Sequence, residues 1–274
     1  MGAAFDKIEG LGNDFVVVET RALGGIDVTT ARALCDRHRG IGADGVLYVD
    51  VEARSMRVVN ADGSRPEMCG NGVRCVVLYL AERGLVRTGE TVTIDTEAGP
   101  HACTLLAHEP ELARVEVAMR PYAIAPEPSL VRGDRPLLDA EVEVEGRRVV
   151  GSFVSMGNPH FVVFDAERQH AAEVASALER HPLFPARINV GLAEQVGPAA
   201  IGLRVFERGV GYTEACGTGA CAAVAAAVET GRIARGSTVD VRLPGGSLAI
   251  TVGERGAPVR MTGPARRVFR GTLA

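Results

Sequence analysis

The sequence predicts an α+β fold of two pseudo-symmetric domains, each a curved, mostly antiparallel sheet wrapped around a central helix. Three observations carry this. First, a short pattern occurs twice. Residues 57–60 (Arg-Val-Val-Asn) stand nine positions before Cys69-Gly-Asn-Gly72, and residues 204–207 (Arg-Val-Phe-Glu) nine positions before Cys216-Gly-Thr-Gly219. The offset is 147 at each point, and it continues through Glu82 with Glu229, Gly84 with Gly231, Val92 with Val239 and Gly99 with Gly246. Repetition at a fixed spacing reads as two equivalent structural units. Second, short β-rich runs bounded by Gly and Pro dominate both halves. Third, one helical stretch follows each repeated cysteine.

In the first half the strand runs are 15–19, 57–60, 91–95 and 115–119; in the second they are 147–155, 161–165, 202–207, 238–242 and 248–252. Residues 29–37 read as a helix opened by a Thr cap, with 171–180 as its counterpart. The central helices are expected over 73–83 and 220–230, each stopped by a glycine, Gly84 or Gly231. The second is apolar nearly all round, so it belongs inside its sheet. The Pro-rich stretch 121–136 lacks periodicity and reads as the domain connection. The expected domains are 1–120 and 121–264.

At 274 residues each half is long enough to bury its own core. A net charge of −4, 4% aromatic residues and no Trp argue against nucleic-acid binding. No apolar run approaches the length of a membrane span, so no membrane partner is expected. The first residues carry neither a secretory nor a myristoylation pattern, and a cytoplasmic location is expected. The six cysteines lack metal-site grouping and no metal is expected. A homodimer is compatible with the sequence.

Both repeated cysteines begin a helix and are followed by Gly-x-Gly. Glycines let the backbone approach a ligand, and the N–H groups of a first helical turn form an anion site. Gly70 and Asn71, with Gly217 and Thr218, are therefore candidates to grip a carboxylate from two sides. The helix N-terminus should also make each thiolate more accessible than an ordinary cysteine pKa of about 8.5 suggests. Cys69 and Cys216 are the candidate catalytic thiols, whereas Cys35, Cys75, Cys103 and Cys221 read as structural. A second repeat, Gly12-Asn13 and Gly157-Asn158, falls at an offset of 145. Asn60, Asn189, Glu207 and Arg208 stand at strand ends and could hold an ammonium and a second carboxylate; the plain alternative for Arg208 is an ion pair with Glu207. His160 reads either as a supporting hydrogen bonder near a thiol or as a satisfied strand residue. His38, His101, His108, His170 and His181 read as solvated residues or local caps. The Gly-rich segment 40–45 matches a dinucleotide loop only superficially, since it lacks the flanking strand and helix.

Gly10-Leu-Gly-Asn-Asp-Phe15, Asn60-Ala-Asp-Gly-Ser64, Cys69-Gly-Asn-Gly72, Gly157-Asn-Pro-His160, Glu207-Arg-Gly209 and Ala215-Cys-Gly-Thr-Gly-Ala-Cys221 together resemble the diaminopimelate epimerase family, over essentially the whole chain. The resemblance implies a cofactor-independent isomerase interconverting LL- and meso-diaminopimelate in lysine and peptidoglycan synthesis. It implies Cys69 and Cys216 as the two acid–base residues, with the active site in the interdomain cleft. It implies substrate contacts from Asn13, Asn60, Gly70, Asn71, Asn158, Asn189, Glu207, Arg208, Gly217 and Thr218. It also implies that 265–274 returns to the first domain. Two positions depart from the family pattern: Gly45, where some members carry Gln, and Tyr212, where Glu is more usual.

The implied reaction is two-base proton exchange: one cysteine as thiolate takes the α-proton while the other, as thiol, protonates the opposite face. Because the α-carbon is a far weaker acid than a thiol, the site must stabilise the carbanion and exclude water. Two other readings stay open at this level. A proline-racemase-like enzyme also uses two cysteines, although that family has His where this chain has Asn71. A non-catalytic amino-acid binding protein would have the same duplication with inert thiols.

Overall fold

The computed structural model describes residues 2–66, 68–164 and 171–273. The chain divides into two compact units, Met1–Ala118 with Thr262–Ala274, and Met119–Met261. In the first unit the elements are β1 (Ala4–Gly10), β2 (Asn13–Glu19), α1 (Val28–Cys35), β3 (Gly45–Asp50), β4 (Ser55–Asn60), α2 (Gly70–Ala81), β5 (Thr91–Thr96), β6 (Gly99–Glu109) and β7 (Leu112–Ala118). The second unit holds β8 (Ala140–Val144), β9 (Arg147–Ser155), β10 (Pro159–Phe164), α3 (Ala171–Glu179), β11 (Asn189–Gly197), β12 (Ala200–Glu207), β13 (Gly211–Thr213), α4 (Gly217–Glu229), β14 (Thr238–Leu243) and β15 (Gly246–Thr251). A last strand, β16 (Arg260–Thr272), returns to the first unit, where it pairs antiparallel with β1.

The two units repeat one topology. β2 runs parallel to β3, and β10 parallel to β11. β4 is parallel to β5, and β12 to β14. Antiparallel hairpins complete each unit, such as β5 with β6 and β14 with β15. The strand starts and ends that this register aligns decide where polar residues gather. Phe15 pairs Gly45 and Gly45 pairs Asn60, so the start of β2, the start of β3 and the end of β4 share one edge. In the second unit His160 pairs Asn189 and Val190 pairs Phe206, which aligns the same three positions.

The central helices are enclosed. α2 packs on β1, β2, β3, β4, β6 and β7, and α4 on β9, β10, β11, β12 and β15. Every residue of α2 is buried, and so is every residue of α4 from Gly219 to Val228. The Ala-rich composition of α4 suits this, because small side chains let strands come close on all sides. Both helices stop at a glycine in the left-handed region, Gly84 at φ 71° and Gly231 at φ 74°, the conformation that glycine takes without strain. Strands such as β5 and β14 alternate strictly, with Val92 and Ile94, or Val239 and Val241, turned inward.

The structure corrects several expectations. α2 and α4 begin three residues earlier than periodicity indicates, because the glycines after each cysteine are already helical. α1 is capped by Asp27, whose carboxylate accepts from the Thr30 amide, rather than by Thr29. The stretch 121–136 belongs to the second unit, with Val131 fully buried in that unit's core beside Phe153, Phe161 and Ile188. β10 ends at Phe164; Asp165, expected to extend it, and His170 lie outside the described residues. His101 is neither solvated nor a cap: it is 3% exposed and reaches the Ala118 carbonyl through Nδ1 at 3.2 Å.

Candidate active site

Cys69 and Cys216 occupy the same local structure. Each is the N-cap of its central helix, with φ and ψ of −135° and 105° at Cys69 and −130° and 105° at Cys216. Each sulfur accepts the amide of the third helical residue, Gly72 N–H at 3.3 Å and Gly219 N–H at 3.4 Å. A thiol here takes the place usually held by a Ser or Asp oxygen. The next two amides in each copy, of Gly70 and Asn71 or Gly217 and Thr218, have no intrahelical acceptor because they open the helix. Each turn therefore offers a sulfur and two N–H donors to an anion.

The surroundings of the two sulfurs differ. Cys69 is half-buried, and the Asn13 Oδ1 lies 4.0 Å from its Sγ, the outer limit for a thiol hydrogen bond. Cys216 is buried, with the Thr218 hydroxyl 3.6 Å from its sulfur. Burial pushes the Cys216 thiol well above its ordinary range, and the nearby Glu207 carboxyl pushes it further, against the opposing hydrogen bonds from Thr218 and Gly219. The helix N-terminus alone would lower it; at Cys216 desolvation wins. Glu207 is itself raised by burial, and it accepts from the Thr213 hydroxyl at 2.7 Å.

In the second unit His160 joins the group. It is fully enclosed, and burial, assisted by the Arg208 charge, lowers its pKa to about 3, so it is neutral at physiological pH. Its Nε2 lies 3.2 Å from Asn158 Oδ1 and 3.1 Å from Thr218 Oγ1. An amide oxygen only accepts, so Nε2 carries the proton. Asn158 in turn donates to Thr218 Oγ1 at 3.3 Å. His160 thus touches the polar groups next to Cys216.

The remaining candidates separate by unit. Asn60 ends β4 and donates to Ser64 Oγ at 2.9 Å. Asn189 is buried; its Nδ2 donates to the Pro159 carbonyl at 2.9 Å, and its Oδ1 receives the Arg208 amide at 3.0 Å. Arg208 is exposed, and its Nη1 donates to the Ala186 carbonyl at 2.8 Å rather than to Glu207. Asn13, Asn60, Cys69, Gly70 and Asn71 therefore gather at one end of the first unit, and Asn158, Asn189, Glu207, Arg208, Cys216, Gly217 and Thr218 at the corresponding end of the second. Cys35, Cys75, Cys103 and Cys221 are buried. Burial holds the thiol of Cys35 up at about 11 and that of Cys103 at about 12, as suits packing residues.

The two departures from the family pattern have structural counterparts. A Cβ at Gly45 would lie 2.9 Å from the Val59 carbonyl oxygen, so no side chain fits without moving the sheet. Tyr212 stacks edge-on against Phe206 with ring centroids 5.2 Å apart, beneath the Arg204 guanidinium at 4.4 Å. Two residues beside Cys69 escape sequence reasoning, Asp44 and Arg74. Arg74 leaves one signal: it is the single charged residue of a helix whose every residue is buried.

Among the described residues no group of His, Cys, Asp or Glu is arranged to hold a metal ion. No described helix is long and apolar enough to cross a membrane.

A sequence model of the diaminopimelate epimerase family matches residues 5–124 and 152–268. The chain is 44% identical over 277 residues to a diaminopimelate epimerase of Desulforudis audaxviator (strain MP104C), covering 97% of this chain and 98% of that one. It is 42% identical over 283 residues to a diaminopimelate epimerase of Microcystis aeruginosa (strain NIES-843 / IAM M-2473), covering 99% of both. Among solved structures the fold is similar to a probable proline racemase from Agrobacterium radiobacter K84, with TM-score 0.69 at 18% identity over 99% of this chain and 93% of that one. It is also similar to a phenazine biosynthesis protein of the PhzF family from Bacillus anthracis, with TM-score 0.72 at 15% identity over 100% of this chain and 99% of that one. The racemase and PhzF likenesses speak for the fold alone. Since the family match takes in both cysteine-capped helices and the strand ends around them, the chain belongs to the diaminopimelate epimerase family and is an isomerase.

Proposed function

We propose that this protein interconverts LL- and meso-diaminopimelate without a cofactor, with Cys69 and Cys216 as the two proton-transfer groups on opposite faces of the α-carbon. The observation that supports this most directly is the matched capping geometry of the two thiols, each with two helix-opening amides beside it. Those four amides would bind the α-carboxylate and stabilise the charge that develops when the α-proton leaves. Asn13, Asn60, Asn158, Asn189, Glu207 and Arg208 would hold the distal ammonium and carboxylate, with Arg208 suited to two parallel contacts to a carboxylate. The product feeds lysine and peptidoglycan synthesis.

The raised Cys216 thiol has a place in this scheme. A thiol that resists ionisation is ready to deliver a proton, whereas the thiolate form needs a neighbour or the bound substrate to stabilise it. The decisive experiment is epimerisation of LL-diaminopimelate in deuterated water with no added cofactor, followed by mass spectrometry for α-deuterium. Epimerisation with solvent deuterium at the α-carbon is expected. Cys69→Ala and Cys216→Ala should each lose at least the roughly 10²–10⁴-fold carried by an acid–base group. Near-wild-type turnover in either variant would refute the assignment.

A further inference from the structure

Beside Cys69 lies a row of hydrogen bonds whose direction is set at both ends. Arg74 is fully buried, and a guanidinium only donates. Its Nη2 lies 2.8 Å from Asn71 Oδ1, while Nη1 and Nε donate to the carbonyls of Gly70 and Pro264 at 3.2 and 3.0 Å. Asn71 therefore turns its oxygen to Arg74 and its Nδ2 to Asn13 Oδ1, at 3.3 Å. Asn13 Nδ2 donates to Asp44 Oδ2 at 2.8 Å, and a carboxylate only accepts. The same Oδ2 takes the Asp14 amide at 3.1 Å, and Arg37 Nη2 holds Oδ1 at 2.8 Å. With a pure donor at one end and a pure acceptor at the other, both asparagine amides can adopt one orientation only. That orientation turns the Asn13 carbonyl oxygen toward the Cys69 sulfur.

Among the described residues, no row with a guanidinium at one end and a carboxylate at the other lies beside Cys216. At the 147-residue offset, Arg74 corresponds to Cys221 and Asn71 to Thr218. The Thr218 hydroxyl beside Cys216 can either donate or accept. Cys69 thus faces an amide oxygen fixed by this row, and Cys216 an adaptable hydroxyl together with the Glu207 carboxyl.

We propose that Asp44 and Arg74 are positioning residues, which hold Asn13 so that its carbonyl oxygen, and not its amide nitrogen, is presented to the Cys69 thiol. This rests on the reading of Cys69 as an acid–base group. An acceptor favours S–H over thiolate, so the fixed oxygen governs how readily this thiol gives up its proton.

The test compares Asp44→Ala with Asp44→Asn in the full-length chain. The readout is the rate at which iodoacetamide modifies Cys69, measured by peptide mass spectrometry with Cys216 of the same molecule as reference. In Asp44→Asn the amide oxygen takes the Oδ2 position, because the Asn13 Nδ2 and the Asp14 N–H both require an acceptor there; the exposed Arg37 gives up its Oδ1 contact and keeps its bonds to Asp14, so charge is lost but the Asn13 orientation is kept. In Asp44→Ala the charge is lost and so is the acceptor that holds Asn13 Nδ2, which leaves only the 3.3 Å contact from Asn71 to fix the amide. The expected result is Cys69 modification at least about 3-fold faster in Asp44→Ala, corresponding to about half a pKa unit, and within about twofold of wild type in Asp44→Asn. kcat should fall in Asp44→Ala and recover in Asp44→Asn. Equal changes in both variants would assign the effect to charge and overturn the proposal, as would an unchanged Cys69 rate in folded Asp44→Ala. Arg74→Met probes the other end with the same readout and should also speed Cys69 modification; if it fails to fold, the Asp44 pair still decides. The alkylation contrast is independent of catalysis: an active Cys69→Ala enzyme would reject the functional reading and leave the contrast standing.

Discussion

Each sulfur is seated by the glycine three residues on, and the two seats differ in tightness. A Cβ at Gly219 would meet Val205 Cγ2 at 2.9 Å and Cys216 Sγ at 3.2 Å, whereas at Gly72 the nearest atoms are Leu47 Cδ2 at 3.0 Å and Cδ1 at 3.4 Å, then Cys69 Cβ at 3.5 Å. Gly219→Ala should therefore press on the thiol itself, and Gly72→Ala mainly on a leucine that can shift. We expect Gly219→Ala to lower kcat by at least about 10-fold and to destabilise by about 1–3 kcal/mol, the usual cost of overpacking. Gly72→Ala should cost clearly less activity. Steady-state kinetics and thermal melts on the pair check this; a larger kcat loss in Gly72→Ala would contradict it.

At the scale of the element, the far ends of the same two helices carry a matching arrangement. Glu82 follows α2 and is held by Arg267 at 2.8 Å and by Arg270. Glu229, the last residue of α4, is held by Arg255, by Arg235 at 2.7 Å and by the Tyr122 hydroxyl. A carboxylate is unfavourable at a helix C-terminus, and here the arginines reverse that. The Arg255 hydrogen bond, with those of Tyr122 and Arg235, outweighs burial and lowers the Glu229 carboxyl from 4.5 to about 2. A depressed folded-state pKa gives stability that is present in full above the unfolded value and lost as pH falls through the folded one. Stability of the second unit should thus decline between pH 4.5 and about 2. Glu229→Gln should flatten this part of the profile and cost about 2 kcal/mol at neutral pH. Urea unfolding across this range is the check; a parallel pH dependence in wild type and variant would remove Glu229 as the cause.

At the scale of the whole molecule, two-base exchange requires two sulfurs to flank one carbon when substrate is bound. If that proposed exchange holds, the two sulfurs should also be able to bond to each other, which needs Cα atoms about 4.4–6.8 Å apart. Mild oxidation without substrate is expected to link Cys69 to Cys216 and abolish activity, and saturating diaminopimelate should prevent both. Peptide mapping decides it: inactivation without that cross-linked peptide, or a cross-link indifferent to substrate, would contradict the arrangement.

Much of this was legible in the sequence because repetition is a property of the chain. The 147-residue offset locates both cysteines, both helices and both stopping glycines, and Gly-x-Gly after a cysteine marks a helix start without any tertiary information. Asn13 and Asn158 could be picked out for the same reason, as a second repeat at an offset of 145. What only the tertiary structure decided concerns partners distant in sequence. Asp44 reaches Asn13 across 31 residues because β2 and β3 run parallel in one register. Arg74 meets the Pro264 carbonyl because β16 returns to the first unit. The ionisation of Cys216 was decided there too: its position at a helix start argues for a lowered pKa, but enclosure beside Glu207 raises it. Desolvation depends on everything that packs around a group, and no local pattern encodes that.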